Sequence, residues 1–398
     1  MKCKWRELSL GAITELVIDH RGKTPKKLGG DWSKSGYRAL SAKNIKTGRI
    51  VQPDTIRFVR EEMYHKWMKD EIQQGDIIIT SEAPFGQVLY WDSKEKVVLS
   101  QRLFGVRIRE EYDSRFVYYY MTTSDFQGEM AGRATGTTVV GLRQPELLKC
   151  VIHCPDLETQ KRIATILASI DEKILINEQI NENLEQQAQA IFANEFLALE
   201  SLPDGWKRGS LIDIADYLNG LAMQKYRPAA DEVGIPVLKI KELRQGCCDD
   251  TSEVCSPNIK TNYIIHDGDV IFSWSGSLLV DFWCGGICGL NQHLFKVTSS
   301  VYDKWFYYAW TKHHLERFIA VAADKATTMG HIKRDELSKA EVLIPNKADY
   351  NRIGSLLHPI YDLIITNRIE SKKLAETRDT LLPKLMSGEI DISEVDYE

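Results

Sequence analysis

Two short segments carry side chains able to read nucleobases. Gln101-Arg102 and Gln292-His293 each place a glutamine amide beside a second hydrogen-bonding group, between apolar neighbours that predict strand positions. Glutamine and arginine form paired hydrogen bonds with the major-groove edges of adenine and guanine. Residues suited to phosphate stand elsewhere in the chain. Arg21-Gly22-Lys23-Thr24-Pro25-Lys26-Lys27 is basic and broken by Gly and Pro, which predicts a loop with its donors facing solvent. Arg21, Lys23, Thr24, Lys26 and Lys27 are its candidates, and Lys225 and Arg227 occupy the corresponding stretch Met223–Pro228. Ser41-Ala42-Lys43-Asn44 follows an apolar run and predicts a strand-to-loop exit offering Lys43 and Asn44. Leu238-Lys239-Ile240-Lys241-Glu242 is its counterpart, offering Lys239 and Lys241. Ser81, Trp274 and Ser275 follow two matched Gly-Asp strands, and the pairs Thr137-Thr138 and Thr327-Thr328 complete the set. Any one of these serves equally well as a structural polar group or a solvated loop. Their recurrence as a set in both halves of the chain favours contact with nucleic acid.

Other chemistries lack their residues. There is no Gly-x-x-x-x-Gly-Lys-Ser/Thr phosphate loop, so no Walker-type nucleotide site is expected. Pro-Pro occurs nowhere, which removes the (Asn/Asp)-Pro-Pro-aromatic motif that grips a flipped adenine. Asp92-Ser93-Lys94-Glu95-Lys96 only approximates a nuclease carboxylate with Glu-x-Lys and reads as a polar turn. The eight cysteines include no Cys-x-x-Cys, and Cys150 with Cys154 or Cys284 with Cys288 lacks a second matching pair. Reduced thiols are expected, with no metal site and no catalytic residues. The tyrosines Tyr118, Tyr119, Tyr307 and Tyr308 are expected in the core or at an interface rather than as stacking platforms.

Charge is distributed unevenly. Over 398 residues the net charge is −5, yet the first sixty residues hold 14 Lys or Arg against 5 Asp or Glu. Segment 156–200 is acidic, with nine acids against three bases; it would repel DNA and suits a protein partner or the fold itself. No apolar run approaches the roughly 20 residues that cross a bilayer, and Met-Lys-Cys-Lys-Trp-Arg-Glu lacks the apolar core of a signal peptide. A soluble, cytoplasmic protein with no membrane partner is expected.

The elements that would position these residues are written twice. Ile72–Thr80 returns as Ile265–Ser273, Leu99–Phe104 as Leu290–Phe295, and Trp5-Arg6-Glu7-Leu8 is answered by Trp206-Lys207-Arg208-Gly209. The offset drifts only from about 200 to 190 residues, which implies two homologous halves about a pseudo-twofold axis. Each half opens with short β-rich runs, Asp76–Thr80 and Asp269–Ser273, plus aromatic helices at Ser114–Thr122 and Tyr302–Lys312. Each closes in one long helix, after Pro155 and Pro345, with Asp156 and Asn346 as N-caps. Heptads run through Ile163, Ile170, Asn177, Leu184 and Ile191, flanked by Ile166, Ile174 and Ile180. They run again through Ile353, Ile360, Asn367, Leu374 and Leu381, with Leu356, Leu363 and Ile364 beside them. An antiparallel two-helix coiled coil is expected, with Asn177 and Asn367 as facing register amides. Twenty-eight such residues would span about 42 Å, near the 34–36 Å between DNA half-sites one turn apart. The expected fold is α+β: β-rich modules at 1–155 and 201–345, with helical segments at 156–200 and 346–398.

With these residues the whole chain resembles the specificity subunits of type I restriction–modification enzymes. The resemblance is carried by Glu158–Ala164 running to Asn177–Glu185, by the tail Leu381-Leu382-Pro383-Lys384-Leu385-Met386-Ser387-Gly388-Glu389-Ile390, and by Gly22-Lys23-Thr24-Pro25, Gly75-Asp76-Ile77-Ile78 and Gly136-Thr137-Thr138. The second half departs from it, with Met223-Gln224-Lys225-Tyr226-Arg227-Pro228 in place of Gly-Lys-Thr-Pro and Ala326 in place of the Gly. The resemblance implies two target-recognition domains, each reading one part of a split double-stranded DNA sequence. It makes the paired helices a ruler and a platform for two modification (methyltransferase) subunits. S-adenosylmethionine, ATP and Mg then belong to those subunits and to restriction (translocase and nuclease) subunits, leaving no cofactor on this chain. The competing readings are a nuclease or methyltransferase with an unrecognised site, and a scaffold that binds only proteins.

Overall fold

The computed structural model describes residues 5–136, 139–324 and 334–392. It forms two compact units: one takes the chain up to Asp171 and again from Glu376, the other is Glu172–Ala375. The division falls inside both long helices.

In the first unit a four-stranded antiparallel sheet has the order Thr14–Asp19, Leu103–Ile108, Ile77–Thr80, Val88–Tyr90. Ile77, Ile78 and Ile79 are all buried, the continuous β-branched run of a strand covered on both faces. Ile77 and Ile79 join Phe116 and Met121 of helix Ser114–Thr122, which Asp113 caps by accepting from Phe116 N at 2.8 Å. Ile78 joins a second cluster with Trp67 and Leu99. A smaller sheet is ordered Arg57–Val59, Tyr37–Leu40, Val98–Leu99, its last pair parallel. Arg6–Ser9 pairs with Val151–Cys154, and the tail returns here: Leu385, Met386 and Ile392 are core residues, and Gly388 lies against the Trp5 indole.

The second unit repeats this plan. Its larger sheet runs Asp216–Asn219, Leu294–Thr298, Val270–Ser273, Leu279–Phe282. Its smaller sheet runs Val254–Cys255, Ile235–Leu238, Cys288–Leu290, Ile264–Ile265, with the central pair parallel. Lys207–Ser210 pairs with Glu341–Ile344. The four tyrosines are buried as expected.

The long helices are Leu157–Phe192, closed by the single wide turn Ala193–Leu197, and Lys347–Met386. Asp156 accepts from Thr159 N and Asn346 from Asp349 N, the expected N-caps. Within the second unit the helices run antiparallel, since Glu195 pairs with Arg352, Asn181 with Ile364 and Asn177 with Glu370. Within the first unit Asp171 meets Arg378.

The seam corrects the heptad reading. Ile180, Leu356 and Leu363 are solvent-exposed, and Asn181, Leu357 and Tyr361 are buried in their place. Asn177 and Asn367 are staggered by about one turn rather than paired amide to amide. Asn367 Nδ2 donates to Asn181 Oδ1 at 2.9 Å, whereas Asn177 Nδ2 donates to Glu370 Oε2 at 2.7 Å and reaches only the backbone oxygen of Asn367. A 3.6-residue helix drifts from a seven-residue repeat, so equal heptad counts do not fix which residues meet.

Candidate nucleic-acid interface

The parallel strand pair explains how residues distant in sequence become neighbours. Tyr37–Leu40 and Val98–Leu99 point the same way, so the segments leaving their ends emerge side by side. Ser100 N donates to Leu40 O at 2.8 Å and Ala42 N to Gln101 O at 3.2 Å, while Ser81 N donates to Arg102 O at 2.8 Å. Ser41–Asn44, Ser81 and Gln101-Arg102 thus form one patch. The basic loop joins it, for Arg21 donates to Leu142 O and Leu142 N donates to Ser81 O. Gly22 has φ +83, a conformation glycine adopts without strain, and this turn sends Lys23 inward.

At the patch lies a cleft of about 280 Å³. Among the described residues lining it are four cations, Lys23, Lys43, Arg57 and Arg102, and no carboxylate; Thr24, Gln101 and Trp32 share the wall. The Arg57 guanidinium lies 5.0 Å from the Trp32 ring centre, a cation–π contact that holds it without neutralising it. Among the described residues neither Arg57 nor Lys43 has an acidic partner, and both are exposed. Lys23 Nζ donates to Trp67 O at 2.8 Å and lies 3.3 Å from His20 Nδ1. Burial, then Lys69, lowers its amine below the usual range. Burial, then Lys23, does the same to His20.

Several candidates take other roles. Gln101 and Arg102 sit in a tight turn, not a strand, because the chain must pass from the smaller sheet to the larger one within three residues. Arg102 there has φ +66 and pairs with Glu82 at 2.9 Å. Asn44 is a buried brace: its Oδ1 accepts from Ser41 N and its Nδ2 donates to Thr55 Oγ1. Ser81 is buried. Arg21 forms a two-point ion pair with Asp19 and covers the Phe104 ring at 4.0 Å. Lys27 Nζ donates to Gly22 O within the loop, and Lys26 is exposed. Trp32 and Arg57 escaped sequence reading, since neither belongs to a recurring phrase; only the pairing of Arg57–Val59 onto Tyr37–Leu40 brings Arg57 to the cleft.

The second unit gathers its candidates the same way. Asn291 N donates to Leu238 O, Ser275 Oγ lies 3.1 Å from His293 Nδ1, and the Trp274 ring is 6.3 Å from that of His293. Gln292 and His293 again occupy a turn, Ser275 is buried, and Trp274 Nε1 donates to Asn219 Oδ1 at 3.0 Å. The cations, however, are countered: Lys239 pairs with Glu253 at 2.6 Å, Arg227 with Glu253 at 3.7 Å and Lys241 with Asp249 at 3.1 Å. Lys225 stays exposed. Thr137, Thr138, Thr327 and Thr328 lie outside the described residues. Among the described residues no cluster of three or more His, Cys, Asp or Glu could hold a metal ion, and no helix is long and apolar enough to cross a membrane.

Comparison with known proteins agrees with this doubled plan. The "Type I restriction modification DNA specificity domain" pattern matches twice, over residues 3–186 and 203–376. The chain is 26% identical over 347 residues to the "Type I restriction enzyme MjaIX specificity subunit" of Methanocaldococcus jannaschii, covering 81% of this chain and 79% of that protein. It is 21% identical to the HindI specificity subunit of Haemophilus influenzae, covering 81% of this chain and 88% of that protein. In fold it is similar to the type I restriction–modification S subunit from M. genitalium, with a TM-score of 0.57 at 15% identity and 96% of each chain covered. Matched twice over most of its length, the chain belongs to the type I restriction–modification specificity-subunit family, with two target-recognition domains.

Proposed function

We propose that each unit engages one part of a bipartite double-stranded DNA target, and that the first unit grips it through the cleft between Arg57 and Gln101. The carrying observation is that four cations line this cleft without a carboxylate. Phosphate is the natural ligand of such a lining, because each Lys or Arg that contacts it releases a condensed counterion. Arg57, Lys43 and Lys23 act as phosphate contacts. Gln101, on the turn beside them, has the chemistry to read a base edge. In the second unit Gln292, His293 and Lys225 take the corresponding work.

The chain supplies recognition, and the chemistry resides on partners: two modification subunits that carry S-adenosylmethionine, and restriction subunits that use ATP and Mg. The paired long helices set the gap between the two parts of the target and dock the modification subunits. Lengthening both by four matched residues, about 6 Å of helix, then widens the gap by one or two base pairs.

The test is adenine methylation mapped by long-read sequencing in cells with and without the gene, with the modification subunit expressed in both. Loss of one split motif on deletion is the expected result. An unchanged methylation map overturns the proposal.

A further inference from the structure

We infer that Cys248 and Cys288 form an oxidation site, at which a peroxide converts two thiols into a disulfide that pins the loop after helix Ile240–Gln245. Their sulfurs lie 3.5 Å apart, both as free thiols. Cys248 is partly exposed in the loop that follows Gly246, and Cys288 is buried at the start of strand Cys288–Leu290. One sulfur is therefore reachable by a small oxidant, and the other is held behind it in a sheet.

The surroundings favour attack by Cys248. The hydrogen bond with Cys288 lowers the Cys248 thiol below its usual range, against burial and the Glu242 carboxylate, with Ser252 and Lys372 acting in the same direction as Cys288. The thiolate is the nucleophile in such reactions. The buried cysteines Cys150, Cys284 and Cys154 are disfavoured, since burial pushes Cys150 and Cys284 up to about 11 and Cys154 up to about 12. In the first step the Cys248 thiolate attacks hydrogen peroxide, forming the sulfenic acid and releasing hydroxide. In the second the Cys288 sulfur attacks the sulfenic sulfur; the S–O bond breaks, and the departing hydroxide takes the Cys288 proton as water. Two thiols and one peroxide yield one disulfide and two waters.

The loop so pinned carries Asp249 and leads to Glu253, the carboxylates paired with Lys241 and Lys239. The bridge would hold these counter-charges in place. This inference stands on the thiol geometry and does not depend on DNA binding.

The full-length protein is treated with hydrogen peroxide, denatured, alkylated with N-ethylmaleimide and weighed intact. Of eight cysteines, two are expected to escape alkylation, and reduction with dithiothreitol should restore both. Cys248→Ser and Cys288→Ser should each abolish that loss, and Cys247→Ser should leave it intact. As a fold-independent readout, hydrogen exchange in residues 246–253 should slow at least about tenfold on oxidation of the unmutated chain. Alkylation of all eight thiols after peroxide overturns the site. So does loss that persists in Cys288→Ser, or over-oxidation of one sulfur without a bridge.

Discussion

The same ladder position carries opposite charge in the two units. In the first, Arg57 lies opposite Ala39 of the central strand of the small sheet. In the second, the corresponding residue is Glu253, whose carbonyl accepts from Val237 N. Arg57 adds to its cleft a cation with no acidic partner among the described residues, while Glu253 neutralises Lys239 and Arg227. The sequence around them follows suit, for residues 201–260 hold 8 Lys or Arg against 9 Asp or Glu where the first sixty hold 14 against 5. One backbone plan therefore serves two electrostatic designs. The first suits phosphate gripping; in the second, Lys239, Arg227 and Lys241 reach phosphate only by breaking ion pairs, and Lys225 is left exposed.

The largest expected effect comes from inverting this difference. Arg57→Glu should weaken binding of a motif-bearing duplex by about 100-fold, by loss of a charge-assisted contact worth about 1.5–3 kcal/mol plus repulsion. Affinity for an unrelated duplex should fall by a similar factor, and the slope of log affinity against log salt should flatten by about one. Loss confined to the motif duplex would make Arg57 a base reader instead. The converse change, Glu253→Gln, should raise affinity about three- to tenfold at low salt by releasing Lys239 and Arg227, with the gain vanishing at high salt. No gain at low salt would mean that these cations face away from DNA.

The helix pair offers the next contrast. In the first unit Arg378 joins Asp171, which also accepts from Tyr119 Oη at 2.7 Å. In the second the seam is held by Asn181 and Asn367. Arg378→Ala should destabilise by about 2 kcal/mol, leaving a half-buried carboxylate with fewer partners. Asn367→Ala should cost nearer 1 kcal/mol. Urea unfolding followed in each unit by hydrogen exchange would rank the two, and a reversed order would show that the amides dominate.

The smallest effect is a pH response local to His314 in the second unit. His314 stacks on Trp310 and donates its Nε2–H to Glu341 O at 2.8 Å; burial lowers its pKa to about 4. A lowered histidine binds fewer protons folded than unfolded, so its stabilising effect is complete above about 6.5 and declines as pH falls toward 4. The protection of the Glu341–Ile344 amides, taken against the intrinsic exchange rate at each pH, should fall across that window, and His314→Gln should flatten the response. Equal loss of protection in Val151–Cys154, the matching strand of the first unit, where His153 is half exposed beside Glu7, would assign the change elsewhere.

Much of the architecture was legible in the chain. The doubled phrases, the β-branched strand runs, the two N-caps and the helical spans all follow from local patterns, because burial on a fixed period leaves a mark every two or 3.6 residues. The site was legible only as a set of segments. Gln101-Arg102, Lys43 and the Arg21–Lys27 loop stand out one by one in the sequence and become neighbours only in the fold, while Asn44 and Ser81 are buried and Trp32 and Arg57 carry no signal in the sequence. A polar side chain looks the same in sequence whether it braces a turn or faces solvent, and its partner lies tens of residues away.

The sequence alone therefore determined that there are two homologous halves, each with its strands, aromatic helix and long capped helix, and that basic charge gathers in the first sixty residues. Only the tertiary structure decided which cations stay free. That choice depends on strand register, which sets Arg57 opposite Ala39 and Glu253 opposite Val237, and on the helical drift that replaced Asn177 by Asn181 as the partner of Asn367. Both are long-range alignments of short elements, where a shift of one residue or one turn exchanges every contact while leaving the local pattern unchanged.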